Sequence, residues 1–244
     1  MNVRLRQVLP LYPMDVVFVI DATESMAPFI DEVKGRVRAF ENDLRSEMEQ
    51  QSKGIKALRA RLVAFRDIND DPATSFEVTR FFSLPDEQSD FAGAFERLET
   101  FGGADEPESG LEALYLAMQS PWVREPRDLK RRHIIMVFTD ADAHELGAAT
   151  IPRNFTQGVG PKSMTDLRRY WDGRRASGST GREMDDWAKR LVLFAPDQIA
   201  GVETRWSQLA EDWEHTLQMI TPAGYGMRDT DWEEIIRTLV ATSG

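Results

Sequence analysis

The chain has 244 residues, a formal net charge of −11 at pH 7 and no cysteine. Without cysteine it can form no disulfide, thiolate zinc site, iron–sulfur cluster or cysteine nucleophile. The excess of acidic residues argues against non-specific binding to nucleic acid or to an anionic membrane, because both need clustered lysine and arginine.

Neither a membrane span nor a signal peptide is expected. No stretch approaches the ~18 consecutive apolar residues that a transmembrane helix needs. Near the N-terminus, Pro10 and Pro13 interrupt the apolar residues, and no small-residue cleavage site follows a proper apolar run. We therefore expect a cytoplasmic protein.

Short apolar strands alternate with helical segments along the chain. The first strand, 15–20, is rich in β-branched residues, and the helix at 28–50 repeats apolar residues every three or four positions. The next predicted elements are strands at 61–66 and 76–82 and helices at 88–99 and 108–119. After a buried strand at 134–139 come a strand at 191–194, a helix at 203–213, a weaker strand at 216–220 and a helix at 230–241.

This alternation predicts an α/β, doubly wound fold, with a mostly parallel central sheet flanked by helices on both faces. We expect about six strands, one of them an antiparallel edge strand, in a single domain over 1–244. A polar stretch at about 141–181 is longer than an ordinary connection and is interpreted as an extended loop insertion. Ligands of such folds bind at the carboxyl ends of strands, here just after residues 20, 66, 139 and 194.

Oxygen-bearing side chains follow the first predicted strand. Asp21, Thr23 and Ser25 alternate in the loop that enters the first helix. Carboxylate and hydroxyl oxygens suit a hard divalent cation such as Mg²⁺ or Mn²⁺. Helix capping is the alternative interpretation, because all three residue types cap helices well.

Two further strand-end loops carry acids. The Gly-Gly-Ala-Asp-Glu-Pro-Glu stretch at 102–108 includes Asp105, and Asp140 follows the strand at 134–139. Each has an ordinary explanation, since Pro107 can open a helix and Asp140 can cap the segment after it. Three such loops at the predicted functional edge together favour a divalent metal site.

These residues resemble the motifs of the von Willebrand factor type A domain. The stretch 21–25 is similar to its Asp-x-Ser-x-Ser loop, with Thr23 replacing the first serine, and Asp140 matches the aspartate after its fourth strand. The stretch 102–108 looks like a bacterial form of its second loop, in which an acid, here Asp105, replaces a threonine. Phe65-Arg66-Asp67 also resembles the Tyr/Phe-Arg-Asp of stand-alone bacterial members. The resemblance covers residues 15–145 and continues more loosely to the end.

The resemblance implies a Mg²⁺ ion, or Mn²⁺ or Ca²⁺, at the carboxyl end of the sheet. Thr23 and Ser25 would be hydroxyl ligands, while Asp21 and Asp140 would act directly or through water. The open position of the ion would take a carboxylate from a partner protein, as expected of an intracellular scaffold or adaptor. Asp105, as a third carboxylate, should tighten metal binding and weaken attraction for an acidic partner residue.

Several residues are expected around the metal. Arg66 and Asp67 are interpreted either as groups that orient a ligand or as a loop salt bridge. Gly103 lies two residues before Asp105 and Glu106 directly after it. His144 follows Asp140 closely enough to line the site, although a lone histidine is more often a surface or capping residue.

The 141–181 insertion is a candidate partner surface. Basic residues recur from Arg153 to Arg182, and Tyr170 and Trp171 lie among them, which is the composition of interface hot spots. The alternative is a lightly packed insertion with solvated charge.

An enzymatic alternative is a Mg²⁺-dependent hydrolase or phosphatase that uses Asp21. Haloacid-dehalogenase-type phosphatases place their nucleophile after the first strand of a doubly wound sheet. They need a second acid two residues later, where this chain has Thr23. No phosphate-binding Gly-x-x-x-x-Gly-Lys-Ser/Thr motif is present, so we assign no catalytic residue.

Overall fold

The computed structural model describes residues 9–70, 72–103, 107–124, 130–147, 151–155, 160–173 and 184–243. The strands are β1 (Leu11–Asp21), β2 (Gly54–Phe65), β3 (Phe76–Val78), β4 (Phe82–Leu84), β5 (Arg132–Phe138), β6 (Lys189–Ala195), β7 (Gln198–Ile199), β8 (Val202–Glu203) and β9 (Thr216–Ile220). The helices are α1 (Ala27–Arg36), α2 (Phe40–Gln50), α3 (Gln88–Glu96), α4 (Gly110–Met118), α5 (Met164–Trp171), α6 (Arg205–Asp212) and α7 (Trp232–Thr242). Within those ranges, none of the helices combines the length and the apolar character needed to pass through a bilayer.

The central sheet has the order β3-β2-β1-β5-β6-β9. Strands β2, β1, β5, β6 and β9 run parallel, and β3 and β4 both pair antiparallel with β2. The predicted mostly parallel sheet with an antiparallel edge is confirmed. That edge is split, because the Thr79 hydroxyl accepts the Leu62 N–H at 3.0 Å where a continuous strand would supply a backbone carbonyl.

Helices cover both faces of the sheet, which explains why β1 is apolar at every position along its centre. Val16, Phe18 and Ile20 pack into one core with α1, α2, α3 and α7, whereas Val17 and Val19 pack into a second core with α4, α5 and α6. A strand buried on both faces has no polar alternation. Its carboxyl end therefore places the buried Asp21 at the edge of a fully packed layer.

The helix predicted at 28–50 is divided into α1 and α2 by a tight 3₁₀ turn at Val37–Ala39. Its apolar stripe lies in the core as expected. At the turn, the Val37 carbonyl accepts a hydrogen bond from the Gln88 side chain of α3 at 2.7 Å.

The 141–181 insertion contains α5, whose first turn is capped by Ser163, the acceptor of the Asp166 N–H at 3.1 Å. Trp171 is 2% exposed and stacks on Trp213 with ring centroids 5.5 Å apart. Trp171 is thus a core residue, and its interpretation as an interface residue was wrong. Arg174, Arg175 and Arg182 lie outside the described residues.

Candidate metal centre

Asp21 ends β1 as a fully buried carboxylate. Its Oδ1 accepts hydrogen bonds from the Thr23 N–H at 2.9 Å and the Thr23 hydroxyl at 2.6 Å. Its Oδ2 accepts the hydroxyl of Thr139, at the end of β5, at 2.7 Å. The carboxylate is therefore held at the junction of the two central strands.

Ser25 and Asp140 complete an oxygen cluster of four side chains: Asp21, Thr23, Ser25 and Asp140. The Ser25 hydroxyl donates to Asp140 Oδ1 at 2.9 Å and lies 3.3 Å from Thr23 Oγ1. Thr23 and Asp140 are buried, but Ser25 is exposed. The oxygen cluster thus opens to solvent at Ser25.

The loop between β9 and α7 holds Asp140 from the other side. The Gly226 N–H donates to Asp140 Oδ2 at 2.7 Å, and the Gly224 N–H donates to the Asp140 backbone carbonyl at 2.9 Å. Gly226 has φ +61°, and a Cβ there would lie 2.1 Å from the Ser25 carbonyl oxygen. Sequence reasoning missed this loop, although its Gly-Tyr-Gly pattern is a signal for close backbone approach.

The second predicted loop lies directly against the first. The Phe101 N–H donates to the Ala22 carbonyl, and the Glu24 N–H donates to the Gly102 carbonyl, each at 3.2 Å. Gly103 has φ +77°, and a Cβ there would lie 2.7 Å from Thr23 Cβ. Gly103 therefore lies directly against Thr23.

Asp105 and Glu106 lie outside the described residues, so their predicted roles remain predictions.

Arg66 braces the second loop from inside. Its buried guanidinium donates to the backbone carbonyls of Glu99 and Thr74, pairs with Glu77 at 2.9 Å and lies 3.9 Å from the ring centre of Phe101. Arg66 thus forms the salt bridge of one interpretation and contacts the loop of Phe101, while its role in orienting a metal ligand stays a prediction.

Asp67 and His144 bind each other beside the oxygen cluster. His144 Nε2 lies 3.2 Å from Asp67 Oδ1, which also accepts the Asn69 N–H at 2.9 Å and the Ser109 hydroxyl at 3.3 Å. These contacts fix the end of β2 against the start of α4. Among the described contacts, His144 is joined to Asp67 and Asn69, not to a member of the oxygen cluster.

Two buried glutamates lie near this region: Glu108 ends the predicted second loop, whereas Glu112 was not predicted there. Glu108 pairs through its backbone with Ala143, and its Oε1 would lie 2.9 Å from a Cβ at Gly103. Burial raises the pKa of Glu112 to about 7, and Asp67 adds to this while His144 opposes it. Glu112 lies in a helix whose residues are all buried, so hydrophobic periodicity alone does not distinguish it from a surface acid.

The electrostatics of Asp21 fit a cation. Burial raises its pKa to about 6, hydrogen bonds from Thr23 and Thr139 oppose the rise, and the charge of Asp140 adds to it. None of these groups is a basic side chain. Among the described residues, no three Asp, Glu, His or Cys side chains form a metal-binding group, so the candidate ligand set there is two carboxylates and two hydroxyls.

The model of the von Willebrand factor A domain matches residues 15–150, more than half of the chain. The chain belongs to the von Willebrand factor A domain family. No curated protein matches it. The motif residues of this von Willebrand factor A domain lie within the matched range, whereas Gly224 and Gly226, which hold Asp140, lie beyond it.

Two solved structures of the pilus adhesin SpaC from Lactobacillus rhamnosus GG have a similar fold. The open conformation is 10% identical with a TM-score of 0.54, and a second crystal form is 9% identical with a TM-score of 0.56. Each match covers 95% of this von Willebrand factor A domain and 30% of the adhesin chain. At such low identity the likeness shows the fold alone.

Proposed function

We propose that this von Willebrand factor A domain is a divalent-cation-dependent protein-interaction module that uses Mg²⁺, with Mn²⁺ and Ca²⁺ as alternatives. The observation that carries the proposal is the oxygen cluster, which joins two loops by hydrogen bonds at the carboxyl edge of the sheet and opens to solvent at Ser25. Oxygen ligands of this kind are those that hard divalent cations prefer.

The hydrogen-bond directions support this assignment. The Thr23 hydroxyl donates its hydrogen to Asp21, and the Ser25 hydroxyl donates its hydrogen to Asp140. Each hydroxyl oxygen therefore keeps lone pairs for a cation. A bound cation would also offset the charge of two buried carboxylates that have no basic partner among the groups acting on Asp21.

The rim of the oxygen cluster supplies contacts for a partner protein. Phe101 is 42% exposed and pairs through its backbone with the loop after β1. Tyr225 is 65% exposed and stands between the two glycines that hold Asp140. Exposed aromatic residues around a polar centre are typical of protein interfaces. We propose a partner that inserts an acidic side chain toward the metal and packs apolar groups on Phe101 and Tyr225.

Asp105 would modulate this binding. A third carboxylate near the ion tightens the hold on the metal, and it weakens attraction for an acidic partner residue because it makes the net charge of the site more negative. The exposed basic residues of the 141–181 insertion, such as Arg168 and Arg169, are a second proposed contact for an acidic partner. Their charge is partly offset by Asp172 and Asp166 at 3.8 and 3.0 Å.

We also propose that the protein acts as an intracellular scaffold. Cell fractionation of a tagged copy tests the compartment, and recovery outside the cytoplasmic fraction would contradict it. SpaC is a pilus adhesin, so the alternative outcome of this experiment is recovery of the protein at the cell surface.

The metal dependence is tested by calorimetry of Mg²⁺ with the wild type, Asp21→Ala and Ser25→Ala. Both variants should lose at least about tenfold in affinity, because each removes one proposed ligand. Glu49→Ala is the matched control, since it removes an exposed acid near the end of α2, where the chain enters β2 at the opposite edge of the sheet. Equal affinity in all four proteins would refute the metal site.

The partner is tested by a pull-down from the native host with and without EDTA. Recovery of a protein by the wild type should fall with EDTA and with the double variant Asp21→Ala/Ser25→Ala. Recovery that ignores both treatments would remove the metal from the proposal.

A phosphatase that uses Asp21 is the rival function. It is not favoured, because the position where that chemistry needs a second acid is Thr23, which is committed to Asp21 by a 2.6 Å hydrogen bond. Turnover of a generic phosphate ester by the wild type, lost in Asp21→Ala, would reverse this ranking.

A further inference from the structure

Strand β9 is the last strand at one edge of the central sheet, next to β6, and α6 packs against it. It pairs with β6, and within the described ranges no strand pairs with its other side. All five residues of β9 are exposed or half-buried, whereas nearly all residues of β6 are buried. The outer side of β9, called here the β9 edge, is therefore open to another strand.

The hydrogen bonds to β6 establish which backbone groups point outward. The Leu191 N–H donates to the His215 carbonyl at 2.9 Å, and the Thr221 N–H donates to the Ala195 carbonyl at 3.3 Å. In a parallel pair, alternate residues bond to the neighbouring strand. The intervening residues Thr216, Gln218 and Ile220 therefore turn their N–H and C=O groups toward the β9 edge.

Strand β9 itself lacks two of the features that commonly protect a sheet edge. Its sequence, Thr-Leu-Gln-Met-Ile, has no charged residue and no proline, and natural edge strands commonly carry one of these to prevent pairing. Leu217 is 40% exposed and Ile220 is 66% exposed. In a chain with a net charge of −11, an uncharged edge is where two copies approach with the least repulsion.

We propose that β9 pairs antiparallel with β9 of a second copy of this chain, with a two-fold axis at Gln218. That register places Thr216 opposite Ile220 of the second copy, so all the outward N–H and C=O groups find partners. Leu217 then lies beside Met219 of the second copy. Both lie on the sheet face where Met219 packs against the core that contains α7. An interface in which the same surface serves both copies is the commonest form of protein dimer.

The symmetry has a consequence for the metal centre, and this part rests on the proposed function. A two-fold axis normal to the sheet reverses the strand direction in the second copy, so the carboxyl edges point in opposite directions. The two oxygen clusters would face away from each other. The dimer would then link two partner molecules, as a scaffold does.

Sedimentation velocity over a range of roughly 1–100 μM tests the dimer, because self-association depends on concentration. The wild type should shift from monomer to dimer across this range. Ile220→Lys should weaken the dimer at least tenfold, because it places two charges at the edge. Leu11→Lys is the control. Leu11, like Ile220, is an exposed aliphatic residue, but it begins the central strand β1 and lies away from the β9 edge. A wild type that stays monomeric, or equal effects of both variants, would overturn the proposal.

A single cysteine tests the register independently, because the chain has no other thiol. At the two-fold axis of a hydrogen-bonded antiparallel pair, the Cα atoms lie about 5.5 Å apart, within the disulfide range. Under mild oxidation Gln218→Cys should form a covalent dimer, and Leu11→Cys should not. Equal cross-linking of both variants, or of neither, would refute the β9 pairing whatever Mg²⁺ binding shows. If the β9 edge binds a peptide strand of another protein instead of a second copy, the wild type should stay monomeric in sedimentation.

Discussion

Ser25 donates a hydrogen bond of 2.9 Å to Asp140, although the two residues are 115 positions apart in the chain. The contact exists because β1 lies between β2 and β5, so the loops after β1 and β5 open at the same edge. A backbone N–H from Gly226 binds the other oxygen of Asp140 at 2.7 Å. Asp140 is thus held between the loop after β1 and the loop after β9. A change in either loop should therefore alter the position of Asp140.

Gly226→Ala should therefore weaken both the fold and the metal site. A Cβ would lie 2.1 Å from the Ser25 carbonyl oxygen at φ +61°, so the loop must move away from Asp140. We expect a loss of about 2–4 kcal/mol in the free energy of unfolding and weaker Mg²⁺ binding by calorimetry.

Gly201→Ala separates backbone strain from this clash. Gly201 has φ +78° but nothing within 4 Å of an added Cβ, so it should cost only about 1 kcal/mol of strain and leave Mg²⁺ binding unchanged. Similar losses in both variants would contradict the role assigned to Gly226.

Arg66→Met should destabilise the protein by about 2–4 kcal/mol, because it removes a buried guanidinium that binds the Thr74 and Glu99 carbonyls and the half-exposed Glu77 carboxylate. Urea unfolding measures the loss. The control is Arg80→Met, since Arg80 also pairs with an acid, Glu87 at 2.8 Å, but its side chain is exposed. That variant should unfold at nearly the urea concentration of the wild type. Equal midpoints for the two variants would show that Arg66 does not brace the second loop.

Glu112→Gln should change how stability depends on pH. The pKa of Glu112 is about 7 in the folded protein against an ordinary 4.5, so between these values the folded state holds a proton that the unfolded state has lost. The free energy of unfolding then falls as pH rises from about 4.5 to above 7, by up to roughly 3 kcal/mol.

Glutamine at 112 has no proton to lose, so the variant should gain on the wild type as the pH increases. Thermal unfolding at pH 5 and pH 8 measures this gain, and Glu49→Gln provides an exposed control. Parallel pH profiles for Glu112→Gln and the wild type would rule out the raised pKa as a factor in stability.

Asp105→Ala should weaken Mg²⁺ binding and strengthen binding of an acidic partner peptide. Both effects follow from removing one negative charge beside the ion. Calorimetry measures the first and fluorescence anisotropy of the peptide measures the second. Unchanged metal affinity would show that Asp105 does not contribute to the site.

Much of the fold was predictable because strands buried on both faces have a plain signature. The predicted strands at 15–20 and 134–139 are confirmed as the central strands β1 and β5, which span Leu11–Asp21 and Arg132–Phe138. Because the carboxyl ends of neighbouring parallel strands meet at one edge, these strands alone predict that Asp21 and Asp140 lie at the same edge. The split of the long helix at Val37 was not predictable, because it involves the Gln88 side chain from a distant helix.

The sequence by itself determined the class of the sheet, the family motif and the residue types of the oxygen cluster, because hydrophobic periodicity and residue spacing are local properties. Only the tertiary structure decided that Gly226 holds Asp140, that Arg66 braces the loop of Phe101 and that Trp171 belongs to the core. These contacts join segments far apart in the chain. Their geometry depends on how the helices pack across the sheet, which no local pattern records.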